Sequence, residues 1–207
     1  MSDYEKFFGK PETQNSEINP KPTPEKKEEN FFIEILKFVA IAILIVVPFR
    51  MYIAQPFVVN GASMDPTFET NEYLIVDQLS YKFKEPKRGS VVIFKYPLDT
   101  SKYFIKRIIG LPKETLEVKN GQVRIINSEH PEGFEISEPY IVYKKEDNFT
   151  IKLLDNQYYV MGDNRIGSSD SRVWGPLPKN LIIGRPILSL FPISKMSFFP
   201  GDHSLSN

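Results

Sequence analysis

The 207-residue sequence contains no cysteine. That excludes disulfides, thiolate metal sites and a cysteine nucleophile. Histidine is almost as scarce. Of the two present, His130 and His203, the second stands in the polar stretch PGDHSLSN. A histidine-based metal site or a Ser-His-Asp triad would have to use one of them, so a serine hydrolase on this chain needs a different base. There is no Walker-type glycine loop, dinucleotide fingerprint or Ca²⁺ loop. An excess of either charge is missing too: Lys+Arg and Asp+Glu stand at 26 each. Basic stretches such as EPKRGS are short and mixed in sign, so no field draws the chain to nucleic acid. The sequence calls for no cofactor, no metal and no nucleic-acid partner.

What is present falls into three textures. Residues 1–30 carry four prolines and many Glu and Lys; such a segment buries too little apolar surface to offset its ordering entropy, and a disordered tail is expected. Residues 31–53, FFIEILKFVAIAILIVVPFRMYI, are apolar on every side. As a helix they would rise about 34 Å, enough for a single transmembrane anchor. Glu34, Lys37 and Arg50 fall near its ends, where long side chains reach the interface. Residues 1–30 hold five lysines and residues 51–70 no Lys or Arg. Positive charge stays cytoplasmic, which predicts a cytoplasmic tail and an extracytoplasmic face for everything after the anchor.

Residues 54–207 read as short runs rich in Val, Ile, Tyr and Phe, broken by Pro and Gly: EYLIVDQL, GSVVIFKYP, YFIKRIIGL, TLEVK, QVRII, YIVYK, QYYVMG and LIIGRPILSLF. Each has strand character, and LEVKNGQVRII is a hairpin signal with Asn120-Gly121 as its two-residue turn. An all-β barrel or sandwich is expected, with only a helical turn near DQLSYKF.

Three stretches could carry chemistry. NGASMDPTF, residues 60–68, holds Ser63 in a turn braced by Pro66. In YFIKRIIGLP, alternation sends Lys106 and Arg107 to opposite faces, so one of them points into an apolar face unless the strand is an edge. An inward arginine stays charged, whereas an inward lysine can lose its proton and serve as a base. VMGDNRIGSSDSRVWGPLP ends a strand in a Gly162-Asp163-Asn164 turn and continues into a cluster of serines with Asp170 and Arg172. Those two could pair to fix the loop, and one serine could orient a lysine.

In this order behind an apolar N-terminal run, the stretches resemble the type I signal peptidases. That family's serine motif stands as Ser63-Met64-Asp65-Pro66-Thr67, its lysine motif runs from Phe104 to Pro112, and its glycine-rich motif from Gly162 to Gly175. The resemblance spans roughly residues 31–191. It implies a membrane-anchored serine endopeptidase with a Ser-Lys dyad on a signal-peptidase-like β domain, with a smaller β subdomain inserted at 113–157. Ser63 would be the nucleophile and Lys106 the base. Ser168 would orient the lysine, Asp170 and Arg172 would stiffen the site, and Met64 would shield the lysine from water. Some members carry a serine hydroxyl two residues before the nucleophile to help hold the oxyanion; here that position is Gly61. The implied partners are exported preproteins, cut after small-x-small signals, and the lipid bilayer of the cytoplasmic membrane. The alternative is a catalytically inactive anchored β-domain that binds signal peptides or a partner without cutting.

Overall fold

A computed structural model describes residues 31–48 and 54–203. By compactness the chain divides into residues 1–42 and 43–207. Helix α1 spans Phe31–Pro48, and every side chain from Phe31 to Val47 is exposed. It covers the first part of the expected 31–53 anchor; residues 49–53, like the tail 1–30, lie outside the described residues. Eighteen residues rise about 27 Å, short of a hydrocarbon core of about 30 Å. Among the described residues no helix is long and apolar enough to cross a membrane.

The second unit is mainly β. Its strands among the described residues are β1 (Ala54–Val58), β2 (Tyr73–Asp77), β3 (Val91–Tyr96), β4 (Asp99–Gly110), β5 (Thr115–Lys119), β6 (Gln122–Ile126), β7 (Phe134–Glu135), β8 (Phe149–Lys152), β9 (Gln157–Met161), β10 (Leu177–Pro178), β11 (Ile182–Phe191) and β12 (Ser197–Phe198). Two four-residue helices, α2 (Ser80–Phe83) and α3 (Ser171–Trp174), interrupt them. The larger sheet runs β1-β2-β11-β3-β4-β9-β10, with β12 on β11; the smaller runs β7-β6-β5-β8.

Alternation explains the smaller sheet. Leu116 and Val118 on β5, and Val123 and Ile125 on β6, are buried and interleave with wetter residues. Asn120 and Gly121 both have positive φ, 49° and 76°, as a type I′ turn requires. A Cβ on Gly121 would lie 2.4 Å from the Lys145 carbonyl oxygen, so the turn cannot take a larger residue unchanged. One expected strand is absent: YIVYK is irregular. Its groups bond elsewhere, the Tyr143 carbonyl accepting from the Arg165 N–H at 3.1 Å and the Tyr140 hydroxyl donating to Glu138 at 2.8 Å.

The alternation argument on β4 also needs correcting. Neither Lys106 nor Arg107 faces water; they are 3% and 0% exposed. The far half of β4 has a core on each side. Ile108 packs with Val92, Phe94 and Val160, whereas Ile109 packs with Leu116, Ile125 and Met161 beneath the smaller sheet. A strand covered on both faces buries consecutive residues, whatever their charge.

Candidate active site

Ser63 lies on the loop between β1 and β2. Reciprocal bonds close the base of that loop, Val59 N–H to the Glu72 carbonyl and Asn71 N–H to the Val59 carbonyl, each at 2.9 Å. Within it, Asp65 N–H donates to the Ala62 carbonyl at 3.2 Å and Phe68 N–H to the Met64 carbonyl at 3.0 Å, a turn that points Met64 and Phe68 into the core. Beyond the loop, Asn164 clamps it: its N–H donates to the Ser63 carbonyl and its Nδ2 to the Ala62 carbonyl, both at 3.1 Å.

Lys106 approaches from β4. Its Nζ donates to Ser63 Oγ at 2.6 Å and to the Ile105 carbonyl at 2.8 Å, and it stands 5.3 Å from the centre of the Phe104 ring. No carboxylate among the described residues bonds it. Burial lowers its pKa from the ordinary 10.5 to about 8, with the charges of Asp170 and Asp163 only partly opposing the shift. Met64, fully buried, packs in a cluster with Ile105, the strand neighbour of the lysine.

The third segment follows β9. Asp170 accepts from Arg172 Nε and Nη2, both at 2.8 Å, and from the Gly162 N–H at 3.0 Å. Burial alone would push its carboxyl up, but Arg172 and the Gly162 N–H outweigh that and hold it below the usual range. Gly162 has no room for a side chain: a Cβ would meet the Ser63 carbonyl oxygen and Ser168 Oγ, each at 2.3 Å. Ser168 sits against the site, but no Lys106–Ser168 bond forms. Its buried hydroxyl makes no hydrogen bond of ordinary geometry to any described residue, although it is close enough to Asp170 to help keep that carboxylate ionised.

These groups open on a groove of about 490 Å³ lined by Phe57, Val59, Leu74, Ile93, Phe104 and Ile105 beside Ser63 and Lys106. β4 pairs with β9 only from Arg107 onward, so among the described residues no strand pairs with 102–106 on that edge. Gly61, Ala62 and Ser63 also line the groove, and their N–H groups donate to no acceptor among the described residues.

The model of the family described as "Signal peptidase, peptidase S26" matches residues 32–191. The chain belongs to that family. It is 33% identical to a probable signal peptidase I-2 of Synechocystis over 87% of this chain and 84% of that protein. It is 36% identical to signal peptidase I P of Bacillus subtilis subsp. natto over 82% and 94% respectively. A crystal structure of a signal peptidase I from Enterococcus faecalis V583 aligns with TM-score 0.42 and 28% identity over 49% of this chain and 97% of that one. As a member of peptidase S26 the protein is a hydrolase, a serine peptidase.

Of the expected site residues, Gly61, Ser63 and Lys106 line the groove, whereas Met64 packs beside Ile105, and Ser168, Asp170 and Arg172 gather at Gly162 next to the Ser63 carbonyl without lining it. The sequence reading passed over a buried pair behind it. Asp163 accepts from Arg107 Nε at 2.9 Å and Nη2 at 2.6 Å, and from the Thr67 hydroxyl at 2.6 Å. The Gly162-Asp163-Asn164 turn was the available signal: an acid in a tight turn, beside a strand carrying an unpaired inward arginine. Arg165 and Glu138 form a second buried pair, and Arg172 also reaches Asp147 at 2.8 Å, so residues 138–147 are tied to the polar loop.

Proposed function

We propose that the protein is an endopeptidase that removes signal peptides from exported preproteins, with Ser63 as nucleophile and Lys106 as general base. The observation that carries this reading is the 2.6 Å contact between the Ser63 hydroxyl and an amine that burial disposes to be neutral. A neutral Lys106 takes the hydroxyl proton as Oγ attacks the scissile carbonyl, giving a tetrahedral oxyanion. The resulting ammonium passes that proton to the leaving amine as the C–N bond breaks. The acyl-enzyme remains, and the neutral lysine then deprotonates a water that attacks the ester and releases Ser63. The Ser63 N–H is the first oxyanion donor, and the neighbouring N–H groups of Gly61 and Ala62 are open for the second role that a hydroxyl at 61 cannot fill.

Ser168 enters only during turnover, orienting the lysine once the ground-state contact with Ser63 is broken. The free edge of β4 offers main-chain hydrogen bonds to an extended peptide. The apolar groove suits the signal-peptide side of the cut, with small residues nearest Ser63. The exposed apolar helix α1 supports membrane anchoring, with residues 54–207 on the extracytoplasmic face. A tether in the substrate's own bilayer raises the effective concentration of the cleavage site without further contacts.

The test is cleavage of a preprotein reconstituted with the protein in liposomes, comparing wild type, Ser63→Ala and Lys106→Ala, with folding followed by circular dichroism. The expected result is cutting at the small-x-small site by wild type alone. A wild-type protein that binds the preprotein and leaves it whole would establish the inactive binding domain instead.

A further inference from the structure

The Arg107–Asp163 pair joins parts of the chain that are far apart in sequence. Arg107 follows Lys106 directly on β4 and is fully enclosed. Its Nε and Nη2 hold Asp163, while its Nη1 donates to the Gly89 carbonyl at 2.7 Å and to the Gly201 carbonyl. Asp163 also takes the hydroxyl of Thr67, four residues after Ser63, and the next residue, Asn164, holds the Ser63 and Ala62 carbonyls. A displacement of the guanidinium therefore reaches Lys106 through the backbone and Ser63 through both Thr67 and Asn164.

Gly201 lies in a turn after the last strand, so sheet hydrogen bonding does not account for where it sits. The turn nonetheless fits closely. Gly201 has φ +74°, and a Cβ there would come within 2.8 Å of the Phe68 ring and 2.9 Å of the Thr67 methyl. His203 stacks on Tyr140, with ring centres 5.2 Å apart and planes inclined by 25°, and Tyr140 carries the Arg107 guanidinium 4.0 Å from its own ring centre. Residues 200–203 line no part of the groove. We propose that the C-terminal turn, residues 200–203, is a positioning element of the active site, acting through the Gly201 carbonyl on Arg107 and so on the spacing of Ser63 and Lys106. It rests on the Ser-Lys reading above.

The test uses the full chain in liposomes, a small-x-small peptide, and kcat and KM across pH, with the active fraction counted by the acyl-enzyme burst. Gly201→Ala displaces the turn. Its kcat falls at least about tenfold while KM stays within about twofold, because the loss lies in the chemical step. The acid limb of kcat moves to higher pH, since a loosened 64–68 turn admits water to Lys106. Thr67→Val, which removes the hydroxyl donor, has the same signature; Thr67→Ser restores wild-type behaviour. The double variant Gly201→Ala/Thr67→Val is no worse than the poorer single, as expected for groups acting through one cluster.

If Gly201→Ala fails to fold, the comparison of Thr67→Val with Thr67→Ser carries the test. Either of two results overturns the proposal: an unchanged kcat and acid limb in the folded variants, or a loss that is equal at every pH and matches the lost active fraction. An inert wild type overturns the Ser-Lys reading itself and is recognised without any variant.

Discussion

The reaction should switch on with pH as Lys106 loses its proton. With a pKa of about 8, roughly one lysine in eleven is neutral at pH 7 and ten in eleven at pH 9. An unburied lysine near 10.5 would be neutral in only about one molecule in 3,000 at pH 7, so burial raises the competent fraction by about 300-fold there. The measurement is kcat/KM for a small-x-small peptide from pH 6 to 10, and an acid limb with an apparent pKa within a unit of 8 is expected. A limb near 10.5, or a flat profile, would refute a buried lysine base. Stability supplies a check independent of activity. Between pH 8 and 10.5 the unfolded chain holds a proton on Lys106 that the folded chain has lost, so stability rises with pH through that window, by about 3 kcal/mol. Below pH 8 both states are protonated and the burial cost of the ammonium is only partly compensated. Lys106→Met should therefore be more stable than wild type at pH 7, less whatever its lost hydrogen bonds contributed, and that advantage should shrink by pH 10. A stability gap independent of pH would show that burial does not set the charge state.

Other perturbations separate chemistry from support. Arg107→Ala leaves Asp163 buried with Thr67 as its remaining side-chain partner, and urea denaturation should show a loss of about 3–5 kcal/mol; a variant of normal stability would show that the pair does not support the fold. Gly162→Ala forces a methyl against the Ser63 carbonyl, and displacement of the nucleophile by about 1 Å should lower kcat/KM by about 100-fold; unimpaired cleavage would mean the two segments are not in contact. Ser168→Ala should leave the melting temperature no lower, because its hydroxyl makes no ordinary hydrogen bond in the resting protein, yet reduce kcat by about 10- to 100-fold if it bonds the charged lysine in turnover. A lower melting temperature with normal kcat would make Ser168 a structural residue.

What the sequence could reveal divides along the range of the interactions involved. The Asn120-Gly121 hairpin is local, its turn chemistry and alternation written within a few residues, and it stands at the expected register. The dyad candidates were legible because three ordered motifs together resemble those of the type I signal peptidases; nothing local says that Ser63 and Lys106 touch. YIVYK had strand composition but no strand forms, because Arg165, distant in sequence, takes the Tyr143 carbonyl and the nearby Glu138 takes the Tyr140 hydroxyl. β-propensity reports fit to a half-buried pleated surface, and here the surface on offer was a loop clamp.

Lys106 and Arg107 mark the same boundary more sharply. Period-two reasoning assigns one side chain to the core and the other to water, which holds only where a sheet has one wet face. On this strand the smaller sheet and the C-terminal turn close the second face, so two adjacent cations are both dry. Each then follows the chemistry its headgroup permits. The guanidinium cannot give up its charge, and it is surrounded by a carboxylate and two carbonyls. The ammonium can, and it is left with a hydroxyl and one carbonyl. Exchanging the two side chains would put a permanent charge beside Ser63 and a titratable one beside Asp163. Lys106→Arg should therefore abolish cleavage at every pH between 6 and 10 while retaining the fold; activity recovering at high pH in that variant would show that the base is a group other than the residue at 106.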